Sequence, residues 1–141
     1  MASPDVAPIN VACRRGLSAR SGEGVSEVLA RLSEQDLGTE AQRTPEPCNL
    51  PVLAHLPHCI GEVMLLDPAL AAAIAAVDGD LKWMQSASYT DRILGEGFSA
   101  NYGWAEIIGP NGFFAGDDLL LGLLMLGPDR HYPDHYHPAP E

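Results

Sequence analysis

The chain has 141 residues, 46% of them hydrophobic, which is enough for one domain with its own core. Lys and Arg number 8 against 19 Asp and Glu, a formal net charge of -11, with 5 basic and 6 acidic residues up to position 43 and 3 and 13 after it. The acidic C-terminal two thirds repels phosphate backbones and anionic bilayers, so nucleic acid and membrane surfaces are not expected partners, and cationic ligands are mildly favoured.

Residues 1 to 23 mix Pro, Ser, Gly and Arg without a sustained period and read as a loose leader. No basic segment leads into an apolar core there, and no run of about 18 uncharged apolar residues occurs anywhere, so a soluble, cytoplasmic protein is expected. Val25, Val28, Leu29 and Leu32 recur at i, i+3, i+4 and i+7, which predicts a helix over 24–37 with Gly38 as its stop. Pro45, Pro47 and Pro51 make 39–51 an extended connector. Cys13, Cys48 and Cys59 are odd in number and lack CxxC spacing, so free buried thiols are expected.

A helix over 53–66 fits if Pro57 sits near its start. Asp67-Pro68 is a stronger start signal, because Asp caps free N–H groups and Pro suits the first turn; Leu70, Ile74 and Val77 then share one face of a helix over 68–77 that ends before Gly79. His55 and His58 read as surface or satisfied core histidines. From Leu81 the pattern turns strand-like, with Trp83, Tyr89, Phe98, Tyr102 and Trp104 marking it. Segments 99–108 and 118–126 flank Gly109-Pro110-Asn111-Gly112, whose Asn-Gly pair accepts positive φ, so an antiparallel hairpin with a wide loop is expected. The run Leu119 to Leu126 reads as a strand covered on both faces; a short buried helix fits its periodicity equally, and length and turn signals favour the strand. The expected organisation is a flexible leader with one helix (1–47), a helical segment (48–80) and a strand-rich part (81–141), an α+β fold.

The last seven residues, His135-Tyr136-His137-Pro138-Ala139-Pro140-Glu141, form a His-x-His-x-x-x-Glu cluster. In an extended segment alternate side chains share a face, so His135 and His137 can reach one ion, with Glu141 further along that side. Imidazole nitrogens with a carboxylate suit a divalent transition metal, and Zn, Fe, Mn, Co and Ni all fit this donor set. A solvated histidine-rich loop that includes His131 is the competing reading. A strand aromatic such as Trp83, Tyr102 or Trp104 is more often core or interface than a ligand contact.

Gly127 to Glu141 resembles the first motif of cupins, a Gly followed by His-x-His-x-x-x-Glu. Together with Asn101-Tyr-Gly-Trp-Ala-Glu-Ile-Ile-Gly-Pro-Asn-Gly, the Leu121-Gly-Leu-Leu-Met-Leu-Gly-Pro strand and Tyr132-Pro-Asp-His-Tyr-His-Pro-Ala, it resembles the cupin-type dimethylsulfoniopropionate (DMSP) lyases over roughly residues 48–141. The resemblance implies that 81–141 is part of a cupin barrel (a double-stranded β-helix), with metal ligands His135, His137 and Glu141 and a catalytic tyrosine at Tyr132. It also implies a carbon–sulfur lyase reaction, the β-elimination of DMSP to dimethyl sulfide and acrylate. The substrate is a zwitterion with a sulfonium cation, for which the aromatics Trp83, Tyr102, Trp104 and Tyr132 could provide a face, with His131 a further candidate contact. That family places a further tyrosine and a third metal histidine after the Glu, and position 141 precedes both. An N-terminal fragment with weakened metal binding, negligible turnover alone and a tendency to pair with another chain, including a homo-oligomer, is therefore expected. The alternatives are a metal-binding cupin sensor or small-ligand module without turnover, and a cupin oxygenase or isomerase.

Overall fold

The computed structural model describes residues 3–116 and 118–134. Residues 7–18, expected within a loose leader, are instead a helix, α1 (Ala7–Ser18), begun by Pro8 in its first turn. The leader reading fails because Val6, Ile9 and Ala12 are fully buried, and Val6 and Ile9 belong to the main core, so packing supplies what the weak local periodicity does not. Helix α2 (Val25–Glu34) buries Leu32 and half-buries Val25, Val28 and Leu29, the face its spacing predicts.

Pro51–His55 forms a 3-10 turn leading into α3 (Leu56–Leu66), which accommodates Pro57 in its first turn as required. Asp67 then caps α4 (Pro68–Val77), its Oδ1 accepting from the Leu70 N–H at 3.0 Å. The same carboxylate accepts from Arg15 Nη2 at 2.8 and 2.9 Å, tying α1 to the start of α4. Helix α4 packs on both α1 and α3 and buries Ala71, Ala73, Ile74 and Val77. No helix among the described residues is long and apolar enough to cross a membrane.

A short helix, α5 (Asp91–Leu94), interrupts the region expected to be strand-like. Strands β1 (Tyr102–Ile108) and β2 (Leu121–Leu126) pair antiparallel, with Trp104 opposite Leu124 and a register shift between Glu106 and Ile108, so the predicted hairpin and its wide loop are present. Isolated bridges, Met84 to Trp104 and then Lys82 to Cys48, lie on the side of β1 away from β2. The fold is α+β, with helices packed on one face of the hairpin. That face carries Ala105 and Ile107 from β1 and Met125 from β2, which join Trp83, Phe113 and Phe114 in the core.

Three expectations are corrected. Strand β2 is covered on one face only: Met125 is buried while Gly122 and Leu124 are exposed, because the helices reach one side of a two-stranded sheet. The wide loop takes its positive φ at Gly109 (151°) rather than at Asn111-Gly112. Gly109 is required there because a Cβ would lie 2.6 Å from Glu106 Oε2, whose buried carboxylate accepts from the Asn111 N–H at 2.5 Å; Gly112 is required by close approach to the Ile107 carbonyl, 2.6 Å from an added Cβ. The cysteines are free, but Cys48 is exposed and Cys13 and Cys59 are half-buried.

Candidate functional site

The uncovered face of the hairpin forms one wall of an open groove of about 1120 Å³. Period-two alternation along β1 puts Tyr102 and Trp104 on this wall, with Leu124 beside Trp104 across the ladder. Helix α2 supplies the facing rim through Glu27, Val28 and Arg31, and Arg31 is ion-paired with Asp118. The volume exceeds the usual few hundred cubic ångströms of an enclosed small-ligand site, consistent with a trough rather than a closed cavity.

At one end of the groove three phenols meet. Tyr102 and Tyr132 stack with ring centroids 6.0 Å apart and planes 24° apart. Tyr89 approaches both, at 5.4 Å from Tyr102 and edge-on at 6.0 Å from Tyr132. Phe98, fully buried, backs the cluster 5.4 Å from Tyr102. Such ring pairs contribute about 0.5–1.5 kcal/mol each beyond the area they bury, which favours one arrangement of the cluster.

The chain reaches Tyr132 through a sharp reversal after β2. Gly127 N donates to the Asn101 carbonyl at 2.8 Å, and Asp129 takes a left-handed φ of 57°, a conformation Asp tolerates better than most residues. Arg130 Nη1 then donates to the Glu96 carbonyl at 2.9 Å. The neighbouring loop is fixed by Asp91, whose carboxylate accepts from Ser99 N at 2.7 Å and Gly97 N at 3.1 Å; these bonds hold its pKa below the ordinary Asp value.

Burial pushes the Tyr132 hydroxyl well above the ordinary phenol range, and hydrogen bonding to Tyr89 and the neighbouring phenols push it the same way. Tyr102 is also raised, chiefly by burial. Tyr102 and Tyr132 therefore present neutral hydroxyls at neutral pH beside an apolar trough.

Of the residues singled out from sequence, Tyr102, Trp104 and Tyr132 come together in this groove. His131 is exposed and is not among its lining residues. Trp83, weighed as a cation-facing aromatic, is 1% exposed in the core and belongs to packing instead. His55 is half-buried and His58 is a surface residue 3.7 Å from Glu62. The metal candidates His135, His137 and Glu141 lie outside the described residues. Among the described residues, no group of three His, Cys, Asp or Glu side chains converges as a metal site. The chemistry of the terminal donor set, two imidazoles and a carboxylate, fits a divalent transition metal. Tyr89 was missed as a site residue, because a strand-like aromatic reading absorbed it; its one signal is isolation as the single large side chain among Ser86, Ala87, Ser88 and Thr90.

The α+β chain thus presents an aromatic cluster at the open face of a hairpin, shortly before a histidine–carboxylate motif in the sequence. The dimethylsulfoniopropionate lyase family profile matches residues 20–141, and the chain belongs to that family. A Cereibacter sphaeroides protein that carries a provisional assignment as dimethylsulfoniopropionate lyase DddL is 32% identical over 89 residues, 62% of this chain and 36% of that protein. A solved chain from the crystal structures of the DMSP lyases RdDddP and RnDddQII has the same fold, with a TM-score of 0.52 at 24% identity, covering 89% of this chain and 60% of that one. The chain thus spans about a third of the curated relative and three fifths of the solved one.

Proposed function

We propose that this chain carries part of the active site of a metal-dependent DMSP lyase of cupin type, in which DMSP is cleaved by β-elimination. The observation that carries the reading is Tyr132 stacked on Tyr102 in the open groove, three residues before His135, in a chain of the lyase family. His135, His137 and Glu141 would hold a divalent metal, which when bound supplies a Lewis acid for the substrate carboxylate.

The chain's own residues do the rest. The faces of Trp104 and Tyr132 receive the sulfonium, each cation–π contact contributing about 0.5–2 kcal/mol, while the buried Tyr102 backs the Tyr132 ring. A cation entering beside the phenols offsets the burial that raises the Tyr132 hydroxyl, so substrate itself favours the phenolate, the phenol proton passing to water in the open groove. Tyr132 Oη then takes the proton from the carbon next to the carboxylate, the carbon–sulfur bond breaks, and dimethyl sulfide leaves with the bonding pair as the acrylate double bond forms.

The protonated state of Tyr132 also favours a second reading, a cation-binding cupin module without turnover. Incubation with DMSP and zinc, followed by headspace detection of dimethyl sulfide, separates the two. Gas release above a chelator-treated control that disappears in Tyr132→Phe supports the lyase; saturable DMSP binding with no gas from the full-length gene product removes it. Because the matched relatives extend well past the matched region, turnover by residues 1–141 alone is proposed to be negligible.

A further inference from the structure

We infer that Glu27 sets the polarity of the groove, drawing the cationic end of a zwitterionic ligand toward helix α2 and turning its carboxylate away. The inference deepens the lyase reading and rests on it for the identity of the ligand. Gly24, Glu27, Val28 and Arg31 all line the groove. Their spacing of i, i+3, i+4 and i+7 is one stripe of a helix, so Glu27 stands one turn before Arg31 on the side of α2 that faces the trough.

A Glu four residues before an Arg is the favourable order for an ion pair within a helix. Arg31 does not make that pair: its guanidinium goes to Asp118, which also lines the groove just before β2. One turn further along α2, Gln35 Nε2 donates to the Ala115 carbonyl at 2.9 Å, so two contacts hold the stripe against the segment that leads into β2. Among the described residues Glu27 has no ion-pair partner. Of the three charged side chains among the described lining residues, two neutralise each other and Glu27 remains. The wall it faces carries the Trp104 ring and Leu124, and a cleft with apolar walls concentrates the field of a charge on its rim. A sulfonium over Trp104 is attracted by this charge, and a carboxylate in the same place is repelled. Glu27 also lies in the first turn of α2, where a negative charge favours the helix dipole. That role would appear in stability and be indifferent to the ligand.

The test needs no turnover. The 141-residue chain is titrated by nuclear magnetic resonance with trimethylsulfonium, which is the cation alone, with DMSP, and with 4-methylpentanoate, in which carbon replaces the sulfonium of DMSP. Glu27→Gln should weaken trimethylsulfonium binding about threefold and narrow the preference for DMSP over 4-methylpentanoate by a similar factor, the size expected of one solvent-exposed charge. Glu34→Gln, the same charge change on the same helix but outside the groove lining, should alter neither. Equal loss in the two variants would mean general attraction to a chain of net charge -11 and overturns the inference. An unaltered preference in Glu27→Gln overturns it too, as does the absence of saturable trimethylsulfonium binding by wild type. Should Glu27→Gln not fold, wild type decides: cross-relaxation between the bound methyl protons and the Glu27 side chain supports the inference, and its absence in the saturated complex refutes it. Dimethyl sulfide release by the full-length gene product judges the lyase reading separately, because a groove can orient a sulfonium without cleaving it.

Discussion

Tyr132 concentrates the chemistry at the scale of single residues, since it is the one tyrosine that both closes the aromatic cluster and directly precedes the histidine motif. In lyase-competent full-length protein, Tyr132→Phe should lower dimethyl sulfide release by about a hundredfold or more with little change in thermal midpoint, because the ring and its stacking survive and only the proton acceptor goes. Retained turnover in that variant would move the base elsewhere. His137→Ala should abolish micromolar zinc binding by residues 1–141, read by isothermal titration; unchanged affinity would leave the terminal histidines as a solvated tail. Asp91 yields a pH prediction. Its folded pKa lies below the ordinary Asp value, so its stabilising effect is complete above that value and is lost as pH falls through the lowered folded one. The gap in thermal midpoint between wild type and Asp91→Ala should therefore be full at neutral pH and close as the solution is acidified below about pH 4.

For the elements, the hairpin is held more by its loop than by its length. Arg43 Nη2 donates to the carbonyls of Gly109, Pro110 and Gly112 at 2.6, 3.2 and 3.2 Å, and Glu106 ties the same loop from inside. Gly109→Ala forces a Cβ onto the Glu106 carboxylate at a φ that L residues avoid, and should destabilise the protein by about 1–3 kcal/mol in urea unfolding. The antiparallel hairpin was legible from the strand-like segments 99–108 and 118–126 flanking Gly-Pro-Asn-Gly. Which glycine takes the strained conformation was not, because that depends on where the buried Glu106 side chain turns. In the helices, the Asp67-Pro68 cap and the α2 face followed from local chemistry, whereas α1 did not: its buried residues are apolar only in relation to the core they meet.

Across the whole molecule, the described hairpin leaves Leu120 and Leu124 exposed, and among the described residues the outer edge of β2 has no strand partner. An apolar open edge invites pairing with another chain. Residues 1–141 should therefore show concentration-dependent association in sedimentation velocity, and Leu124→Lys, which places a charge on that face, should reduce it; association unaltered by the lysine would locate the contact elsewhere. The net charge of -11 opposes this association, so it should strengthen with added salt.

The amino-acid sequence by itself determined the chemistry available here: the donor set at residues 135–141, the tyrosine before it, the α+β order of helices before strands, and the helix starts whose caps are local hydrogen bonds. Only the tertiary structure decided which aromatics are site and which are core, sending Trp83 inside while gathering Tyr89, Tyr102 and Tyr132 from three separate segments. The physical reason is range. Caps, turns and ligand spacing act over a few residues and are written in neighbouring letters, whereas burial and ring contacts depend on which segments meet, and side-chain type does not record that.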